Sequence, residues 1–220
     1  MRTVDYRLNA IVDAGLVEAA PLAELARLAA ENGATLIQYR DKFAKTRQMV
    51  ERAVQIRAAL APTGVPFVVN DRVDVALAAE ADGVHLGSDD MPAEIARKLL
   101  GPDAIIGLTV KNASDGARAA AAPVDYACIG GVFQTLSKIN MDPPVGLNGF
   151  RALRRGLKRA RPDLPVGAIA GIKLEDVPRL MAEGADGIAV ISAIFHAPDV
   201  AAATRELRRS VDTAIAPPAQ

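Results

Sequence analysis

The sequence is poor in the residues that build disulfides and transition-metal sites. It contains one cysteine, Cys128, and two histidines, His85 and His196. A single cysteine excludes an intramolecular disulfide, and its apolar neighbours predict a buried, unreactive thiol. The lack of clustered histidine and cysteine argues against a zinc site. We expect His85, inside a strand, to pack or hydrogen-bond within the structure, and His196 to lie at the surface.

An excess of charge and long apolar runs are also absent. There are 26 basic and 26 acidic residues, so no net field attracts nucleic acid or an acidic membrane. The apolar runs are far shorter than the roughly 18 residues typical of a membrane span, and no apolar stretch follows Met1 and Arg2 as in a secretory signal. We expect a cytoplasmic protein without nucleic-acid or membrane partners. The oligomeric state stays open, and a homo-oligomer is allowed.

What the sequence does contain is a regular alternation. Runs rich in β-branched residues lie near 6–12, 34–39, 65–70, 83–87, 104–109, 124–130, 165–170 and 186–191. Alanine-rich segments between them have helical spacing, for example Leu22, Leu25, Ala26 and Ala29, or Val177, Leu180 and Met181. This alternation predicts βαβ units and a parallel sheet. We predict an α/β fold, a single (β/α)₈ TIM barrel over residues 1–220, with a frayed tail at about 211–220.

An open, doubly wound sheet is the alternative architecture. No Gly-x-Gly-x-x-Gly follows the first strand, so a dinucleotide-binding fold has no support. Repetition favours the barrel, because Ala81-Asp82-Gly83-Val84 and Ala185-Asp186-Gly187-Ile188 each follow a helix and open a strand. We expect the glycine of each repeat to end its helix in the left-handed conformation.

Polar residues gather where the predicted strands end, which is where TIM barrels carry their chemistry. The second strand ends in Gln38-Tyr39-Arg40-Asp41-Lys42. Because alternate residues of a strand point the same way, Gln38, Arg40 and Lys42 share a face. Two cations and an amide on one face suit a diphosphate. The alternative is that Arg40 and Lys42 pair with carboxylates at the barrel mouth.

Asp71 and Asp90 follow the third and fourth strands and would face the same opening. Carboxylates in ones and twos, completed by water and substrate phosphate, are the usual protein ligands of Mg²⁺. The sequence therefore predicts a magnesium site here. Asn70, Asp71 and Asp90 each precede a helical segment, so helix N-capping is the alternative.

A phosphate site is predicted after strands seven and eight, where Gly171 and Ser192 stand. Alternatively, Gly171 makes a turn and Ser192 caps a helix. The aperiodic segment 134–148, with two prolines and a glycine, predicts a functional loop. Two phosphate regions, one of them metal-assisted, and no nucleophile–base pair favour diphosphate displacement over hydrolysis through a covalent intermediate.

Short motifs in order along most of the chain resemble the thiamine-phosphate synthase family. They are Gln38-Tyr39-Arg40-Asp41-Lys42, Asn70-Asp71-Arg72, Gly83-Val84-His85-Leu86-Gly87 with Asp89-Asp90, Thr135-Leu136-Ser137-Lys138, Pro144-Val145-Gly146-Leu147, Ala168-Ile169-Ala170-Gly171-Ile172, and Val190-Ile191-Ser192-Ala193-Ile194. The resemblance implies a transferase of thiamine biosynthesis. It would move the aminopyrimidine methyl group of 4-amino-5-hydroxymethyl-2-methylpyrimidine diphosphate to thiazole phosphate, by a dissociative mechanism that uses Mg²⁺.

The resemblance also implies residue roles. The pyrimidine diphosphate would contact Gln38, Tyr39, Arg40, Asp41, Lys42, Asn70, Thr109 and Lys138, of which Arg40, Lys42 and Lys138 are the catalytic cations. The thiazole phosphate would contact Thr135, Leu136, Ser137, Gly171, Ile191 and Ser192. Asp71 and Asp90 would bind Mg²⁺.

The chain departs from the family pattern at several positions. Thr109 replaces a usual serine and Ser137 a usual threonine, which keeps both hydroxyls, while Ser88 replaces glutamine, Lys111 histidine, Ala170 glycine, and Gly131 and Gln134 two prolines. Loss of the prolines predicts a less preorganised loop. The competing functions are a thiazole tautomerase, a non-catalytic phosphate-ligand binder and another phosphate-binding barrel enzyme such as a sugar-phosphate isomerase.

Overall fold

Eight parallel strands form a closed barrel in the computed structural model, which describes residues 3–17, 21–135 and 143–215. Neighbours pair in chain order, and β8 returns to β1. The strands are β1 (Leu8–Asp13), β2 (Leu36–Arg40), β3 (Phe67–Asn70), β4 (Gly83–Leu86), β5 (Ile105–Val110), β6 (Tyr126–Ile129), β7 (Val166–Ile169) and β8 (Ile188–Val190). Each coincides with one of the eight predicted runs, and β1, β2 and β5 extend one residue beyond theirs, so the predicted TIM barrel is confirmed.

Helices follow the strands and cover the barrel. They are α1 (Leu22–Glu31), α2 (Thr46–Leu60), α3 (Val73–Ala78), α4 (Ala93–Leu100), α5 (Ala113–Ala121), α6 (Gly146–Ala160), α7 (Val177–Ala182), α8 (Ser192–Phe195) and α9 (Val200–Ile215), with 3₁₀ turns at Ala61–Thr63 and Leu174–Asp176. Leu25, Ala26 and Ala29 of α1 are buried, as their spacing predicts. The predicted loop 134–148 overlaps the start of α6, because this helix begins at Gly146.

A separate apolar cluster fills the inside of the barrel. Tyr6 and Tyr126 pack against each other there with ring centroids 4.6 Å apart and their planes tilted by 31°, and Cys128 packs with them. Cys128 is buried, as predicted, and burial raises the pKa of its thiol to about 12, which disfavours the reactive thiolate. His196 is exposed, as predicted, with its Nε2 3.0 Å from the Leu16 carbonyl oxygen.

A polar residue before each even-numbered strand joins it to the preceding strand. The Asp82 amide donates to the Phe67 carbonyl, and the Asp82 carboxylate accepts from the Phe67 amide, both at 2.8 Å. The same pair of bonds joins Asp125 to Ile106, Asp186 to Val166 and, through a hydroxyl, Thr35 to Leu8. The repeated aspartate of the sequence thus helps to join neighbouring strands of the barrel by hydrogen bonds.

The glycines of the same repeat are required for a different reason from the predicted one. Gly83 and Gly187 are absent from the described residues with positive φ, so the left-handed prediction is wrong. A Cβ on Gly83 would lie 1.8 Å from the Ile105 carbonyl oxygen, and one on Gly187 would lie 1.9 Å from the Tyr6 carbonyl oxygen. Close approach of the neighbouring chain therefore requires glycine here.

The last helix runs further than the sequence suggested. Residues 211–215, expected to fray, belong to α9, because Val211 is fully buried against the rest of the fold. Residues 216–220 lie outside the described part. Within the described residues, no helix is long and apolar enough to cross a bilayer.

Candidate active site

A cavity of about 110 Å³ lies at the carboxyl ends of the strands. It is lined by Ile11, Gln38, Arg40, Asn70, His85, Thr109, Lys111, Gly130, Gly131, Thr135, Ile169, Ala170 and Ile191. The barrel therefore brings together four residues predicted to bind the pyrimidine diphosphate, namely Gln38, Arg40, Asn70 and Thr109. Strand alternation places them, since Gln38 and Arg40 are alternate residues of β2, and Asn70 and Thr109 lie near the ends of β3 and β5.

The two cations of the β2 end are both paired with carboxylates. Arg40 forms an ion pair with the buried Asp13 at the end of β1, and Lys42 forms one with Asp71. These pairs are the ones that the alternative interpretation describes. Arg40 also lines the cavity, and a guanidinium has five N–H donors, so it can serve Asp13 and a ligand together. Asp13 was not foreseen, although its position at a strand end was the available signal.

Tyr39 and Asp41 point away from the cavity. The Tyr39 hydroxyl donates to the Asp41 carboxylate at 2.9 Å, and Asp41 also accepts from the amides of Phe43 and Ala44 and from Arg52. Burial acts to raise the pKa of Asp41, but these donors outweigh it and lower the pKa. The structure does not bring the two side chains to the ligand face. They hold the turn that carries Lys42.

Asp71 and Asp90 lie close enough to interact. Burial and then the neighbouring Asp71 carboxyl raise the pKa of Asp90, against the amide of Gly87, which donates to Asp90 at 2.7 Å. Asp71 has φ 63°, and its amide donates to the His85 carbonyl at 2.8 Å. Neither carboxylate caps a helix, because the N-cap positions of α3 and α4 are held by Arg72 and Pro92, while Asp71 pairs with Lys42 and Asp90 accepts from Gly87. The capping alternative is therefore wrong for Asp71 and Asp90, and equally for Asn70.

This pair of neighbouring carboxyls suits a small divalent cation. Two adjacent carboxylates repel each other unless one is protonated or a cation lies between them. Among the described residues there is no group of three or more His, Cys, Asp or Glu that could hold a metal. A pair of carboxylates completed by water and phosphate oxygens is the usual coordination of Mg²⁺, not of zinc. Asp71 and Asp90 therefore fit the ion that the sequence predicted.

A second, smaller cavity of about 30 Å³ adjoins the first. Thr135, Gly171, Ile191 and Ser192 line it, so the structure brings together four residues predicted to bind thiazole phosphate. Ser192 is the first residue of α8 and Ile191 holds the N-cap position, so Ser192 does not cap this helix. The two cavities share Thr135, Ile169, Ala170 and Ile191, so two ligands bound there would be neighbours. Leu136, Ser137 and Lys138 lie outside the described residues.

Gly171 is needed for two reasons. Its φ is 66°, in the region that favours glycine, which is the turn of the alternative interpretation. A Cβ would also lie 2.2 Å from the Gln134 carbonyl oxygen. The loop after β6 therefore packs directly on the backbone after β7, and Gly171 both shapes the small cavity and lines it.

His85 lies at the cavity wall, which its sequence position did not reveal. Its Nε2 is 2.8 Å from the Thr109 Oγ1 and its Nδ1 is 2.9 Å from the Tyr126 hydroxyl, so the prediction of a hydrogen-bonded structural histidine is confirmed. In the parallel ladder, His85 pairs with Asn70, another cavity residue. Strand alternation around Asn70 was the signal that could have found it.

Comparison with known proteins now assigns the chain. A family model described as thiamine monophosphate synthase matches residues 8–194. The chain belongs to this family. It is 63% identical over 215 residues to the thiamine-phosphate synthase of Agrobacterium fabrum, covering 98% of both chains, and 44% identical over 208 residues to that of Chloroflexus aurantiacus, covering 94% of both.

A solved structure agrees with the thiamine monophosphate synthase assignment. The thiamine phosphate pyrophosphorylase of Pyrococcus furiosus superposes with a TM-score of 0.83 at 39% identity, covering 96% of this chain and 98% of the other. Family membership confirms the prediction of an enzyme, a transferase of thiamine biosynthesis. It favours the synthase over the tautomerase, binder and sugar-phosphate isomerase alternatives.

Two departures from the family's sequence pattern lie in the cavity wall. Ala170, where the family usually has glycine, has φ 93°, a conformation that strains any residue with a Cβ. Gly131, where proline is usual, has φ 69°, which a proline ring cannot adopt. The Gly131 and Val132 carbonyls accept from the amides of Val145 and Gly146, so hydrogen bonds close the base of the loop.

Proposed function

We propose that the chain transfers the aminopyrimidine methyl group of the pyrimidine diphosphate to thiazole phosphate with the help of Mg²⁺, forming thiamine phosphate and diphosphate. The observation that carries this proposal is the ion pair between Lys42 and Asp71 at the ends of β2 and β3, with the Asp90 carboxyl close enough to Asp71 to interact with it. A carboxylate pair with an adjoining cation suits a metal-bound diphosphate. A tautomerase has no need of either group.

The diphosphate half of the substrate would lie between the ends of β2, β3 and β4. Arg40 at the cavity wall and Lys42 beside Asp71 would bind its oxygens, Arg40 through a planar fork and Lys42 as a compact charge. Mg²⁺ bound by Asp71 and Asp90 would neutralise charge on the departing group. The pyrimidine would then extend into the cavity toward Gln38, Asn70 and Thr109.

The chemistry is a substitution at the pyrimidine methylene carbon. The carbon–oxygen bond breaks and its electron pair leaves with diphosphate, and the electron-rich aminopyrimidine stabilises the resulting cation. The lone pair of the thiazole nitrogen then forms the new carbon–nitrogen bond. The shared wall of the two cavities, at Thr135 and Ile191, would hold the two carbon skeletons in contact. Position and electrostatic field would provide the rate enhancement, because no side chain needs to form a covalent bond.

The test is direct. Purified protein is incubated with both substrates, with and without Mg²⁺, and thiamine phosphate and diphosphate are quantified together. We expect equimolar products that require both substrates and the metal. Product formation that survives complete chelation would contradict the role of Mg²⁺, and no product under any condition would contradict the synthase itself.

Two broader expectations accompany this proposal. We propose that the protein acts in the cytoplasm, which agrees with its single buried thiol, and that the barrel forms one domain. Fractionation of the source cells checks the first. A single cooperative unfolding transition, observed by two probes, checks the second.

A further inference from the structure

Three side chains form a hydrogen-bonded row from the inside of the barrel to the cavity. The Tyr126 hydroxyl lies 2.9 Å from the His85 Nδ1, and the His85 Nε2 lies 2.8 Å from the Thr109 Oγ1. Tyr126 is fully buried, whereas His85 and Thr109 line the cavity. The row therefore connects a residue that no ligand can touch with a residue predicted to contact the pyrimidine diphosphate.

The buried end of the row determines which group donates and which accepts in each of its hydrogen bonds. Among the described residues, His85 Nδ1 is the one hydrogen-bonding partner that the Tyr126 hydroxyl has. A buried hydroxyl whose hydrogen finds no acceptor costs free energy, so the phenol donates and Nδ1 accepts. A neutral imidazole that accepts at one nitrogen carries its hydrogen on the other. The His85 Nε2–H therefore donates to Thr109.

The tautomer of His85 determines the orientation of the Thr109 hydroxyl. Because its oxygen accepts from His85, its own hydrogen is free to point elsewhere. A Cβ added to Gly130 would lie 3.2 Å from the Thr109 Cγ2, so the methyl group fills the space above Gly130. A β-branched side chain held at both its methyl and its oxygen has a fixed χ1. Its hydroxyl hydrogen can then be donated into the cavity.

We propose that Tyr126 is a positioning residue for the reaction. Its phenol fixes His85 as the Nε2–H tautomer, and His85 in turn makes Thr109 a hydrogen-bond donor toward the substrate. This orientation suits the pyrimidine part of the diphosphate ester, whose ring nitrogens accept hydrogen bonds, and the inference rests on the proposed function for that ligand. Without the phenol, the ring can take either tautomer, and Thr109 can donate back to His85 instead of to the ligand.

The tautomer can be measured without any turnover, which separates this inference from the proposed function. The chain has two histidines, so ring-¹⁵N labelling with long-range ¹H–¹⁵N correlation gives two ring patterns, and His196→Gln assigns them. We expect His85 to carry its hydrogen on Nε2 in the wild type and to lose that preference in Tyr126→Phe. An Nδ1–H or doubly protonated His85 in the wild type overturns the inference, whatever the activity.

Tyr6→Phe is the matched control. Tyr6 is a buried tyrosine of the same cluster, with its ring 4.6 Å from that of Tyr126, but it makes no hydrogen bond to His85 among the described contacts. Tyr6→Phe removes the same atom from the same environment. We expect it to leave the His85 tautomer unchanged, so a change as large as that in Tyr126→Phe would indicate general repacking and overturn the inference.

Steady-state kinetics of the variants test whether Tyr126 matters for the reaction. Tyr126→Phe should lower kcat about tenfold with a small change in KM for the pyrimidine diphosphate, because one oriented hydrogen bond in the transition state is lost. In a Thr109→Val background the same substitution should have almost no further effect on kcat, since the hydroxyl that Tyr126 orients is gone. Thr109→Ser should retain the dependence on Tyr126. Independent, multiplicative losses in the double variant would contradict the positioning role.

Discussion

Lys42 and Asp71 form an ion pair between the ends of β2 and β3. Lys42, predicted to bind diphosphate, is thus paired with Asp71, a carboxylate predicted to bind Mg²⁺. Under the proposed function, Mg²⁺ bound by Asp71 and Asp90 would compete with Lys42 for the Asp71 carboxylate and leave the ammonium available to the diphosphate. Binding of the metal would then be coupled to the availability of the cation.

Asp71→Asn and Asp90→Asn should each lower kcat/KM by roughly a hundredfold or more at limiting Mg²⁺, because each removes an anionic oxygen that the metal requires. Activity across a Mg²⁺ titration measures this effect. Asp89→Asn is the control, since it neutralises an exposed carboxylate next to the pair. Circular dichroism checks folding in all three variants. Wild-type rates at low Mg²⁺ in either site variant would refute the metal assignment.

Asp82→Ala should lower the free energy of unfolding by about 1–3 kcal/mol, because the Phe67 amide would lose the carboxylate that accepts its hydrogen bond at 2.8 Å. Urea denaturation measures the loss. Asp103→Ala, at an exposed aspartate, is the control and should stay within about 0.5 kcal/mol of the wild type. Equal stability of the two variants would show that the Asp82 bond contributes nothing net.

Asp41 should make stability depend on pH. Despite burial, hydrogen-bond donors lower its pKa in the folded state, so the stabilisation that it provides is present above the unfolded-state pKa and is lost as pH falls through and below about 4. Asp41→Asn should therefore be less stable than the wild type near neutral pH, and the difference should shrink on acidification. Denaturation curves at several pH values test this. A difference that grows toward acid would contradict the assigned sign.

Ala170→Gly should stabilise the protein slightly. A residue with a Cβ at positive φ, as at Ala170, destabilises the folded state by about 1–2 kcal/mol, and glycine removes this strain. Glycine also increases the conformational entropy of the unfolded chain, which lowers the net stabilisation by about 0.4–1 kcal/mol. Ala58→Gly, at an exposed position inside α2, is the control and should destabilise by about 1 kcal/mol. Thermal unfolding compares them. A loss of stability in both would show that Ala170 is not strained.

The sequence predicted what strand periodicity determines and missed what depends on neighbouring strands. The ends of β2, β3 and β5 placed Gln38, Asn70 and Thr109 at one cavity, because alternation fixes which side chains point inward. The same alternation turns Tyr39 outward, a consequence that a contiguous motif conceals.

Contacts between distant segments were beyond sequence reasoning. The pairing of Arg40 with Asp13 depends on the register between β1 and β2, and the need for glycine at Gly83 depends on how closely the Ile105 backbone approaches. Propensity and spacing carry no information about either distance.

Arg40 separates a synthase from a tautomerase, because only the synthase must bind a departing diphosphate. Losing its charge-assisted contact should cost about 1.5–3 kcal/mol, or roughly ten- to a hundredfold in coupling rate, with unchanged calorimetric affinity for thiazole phosphate. Arg40→Ala would also leave Asp13 buried without its cation, which destabilises the fold.

Arg40→Lys is therefore the sharper variant, because it keeps a charge beside Asp13 while removing the planar fork that binds two phosphate oxygens. Comparing the unfolding of Arg40→Lys and Arg40→Ala shows how much of any lost activity is lost folding. If Arg40→Lys couples at the wild-type rate, or if the wild type has no Mg²⁺-dependent affinity for pyrophosphate in calorimetry, the diphosphate assignment of Arg40 fails. A well-folded variant that binds thiazole phosphate normally and couples slowly would establish it.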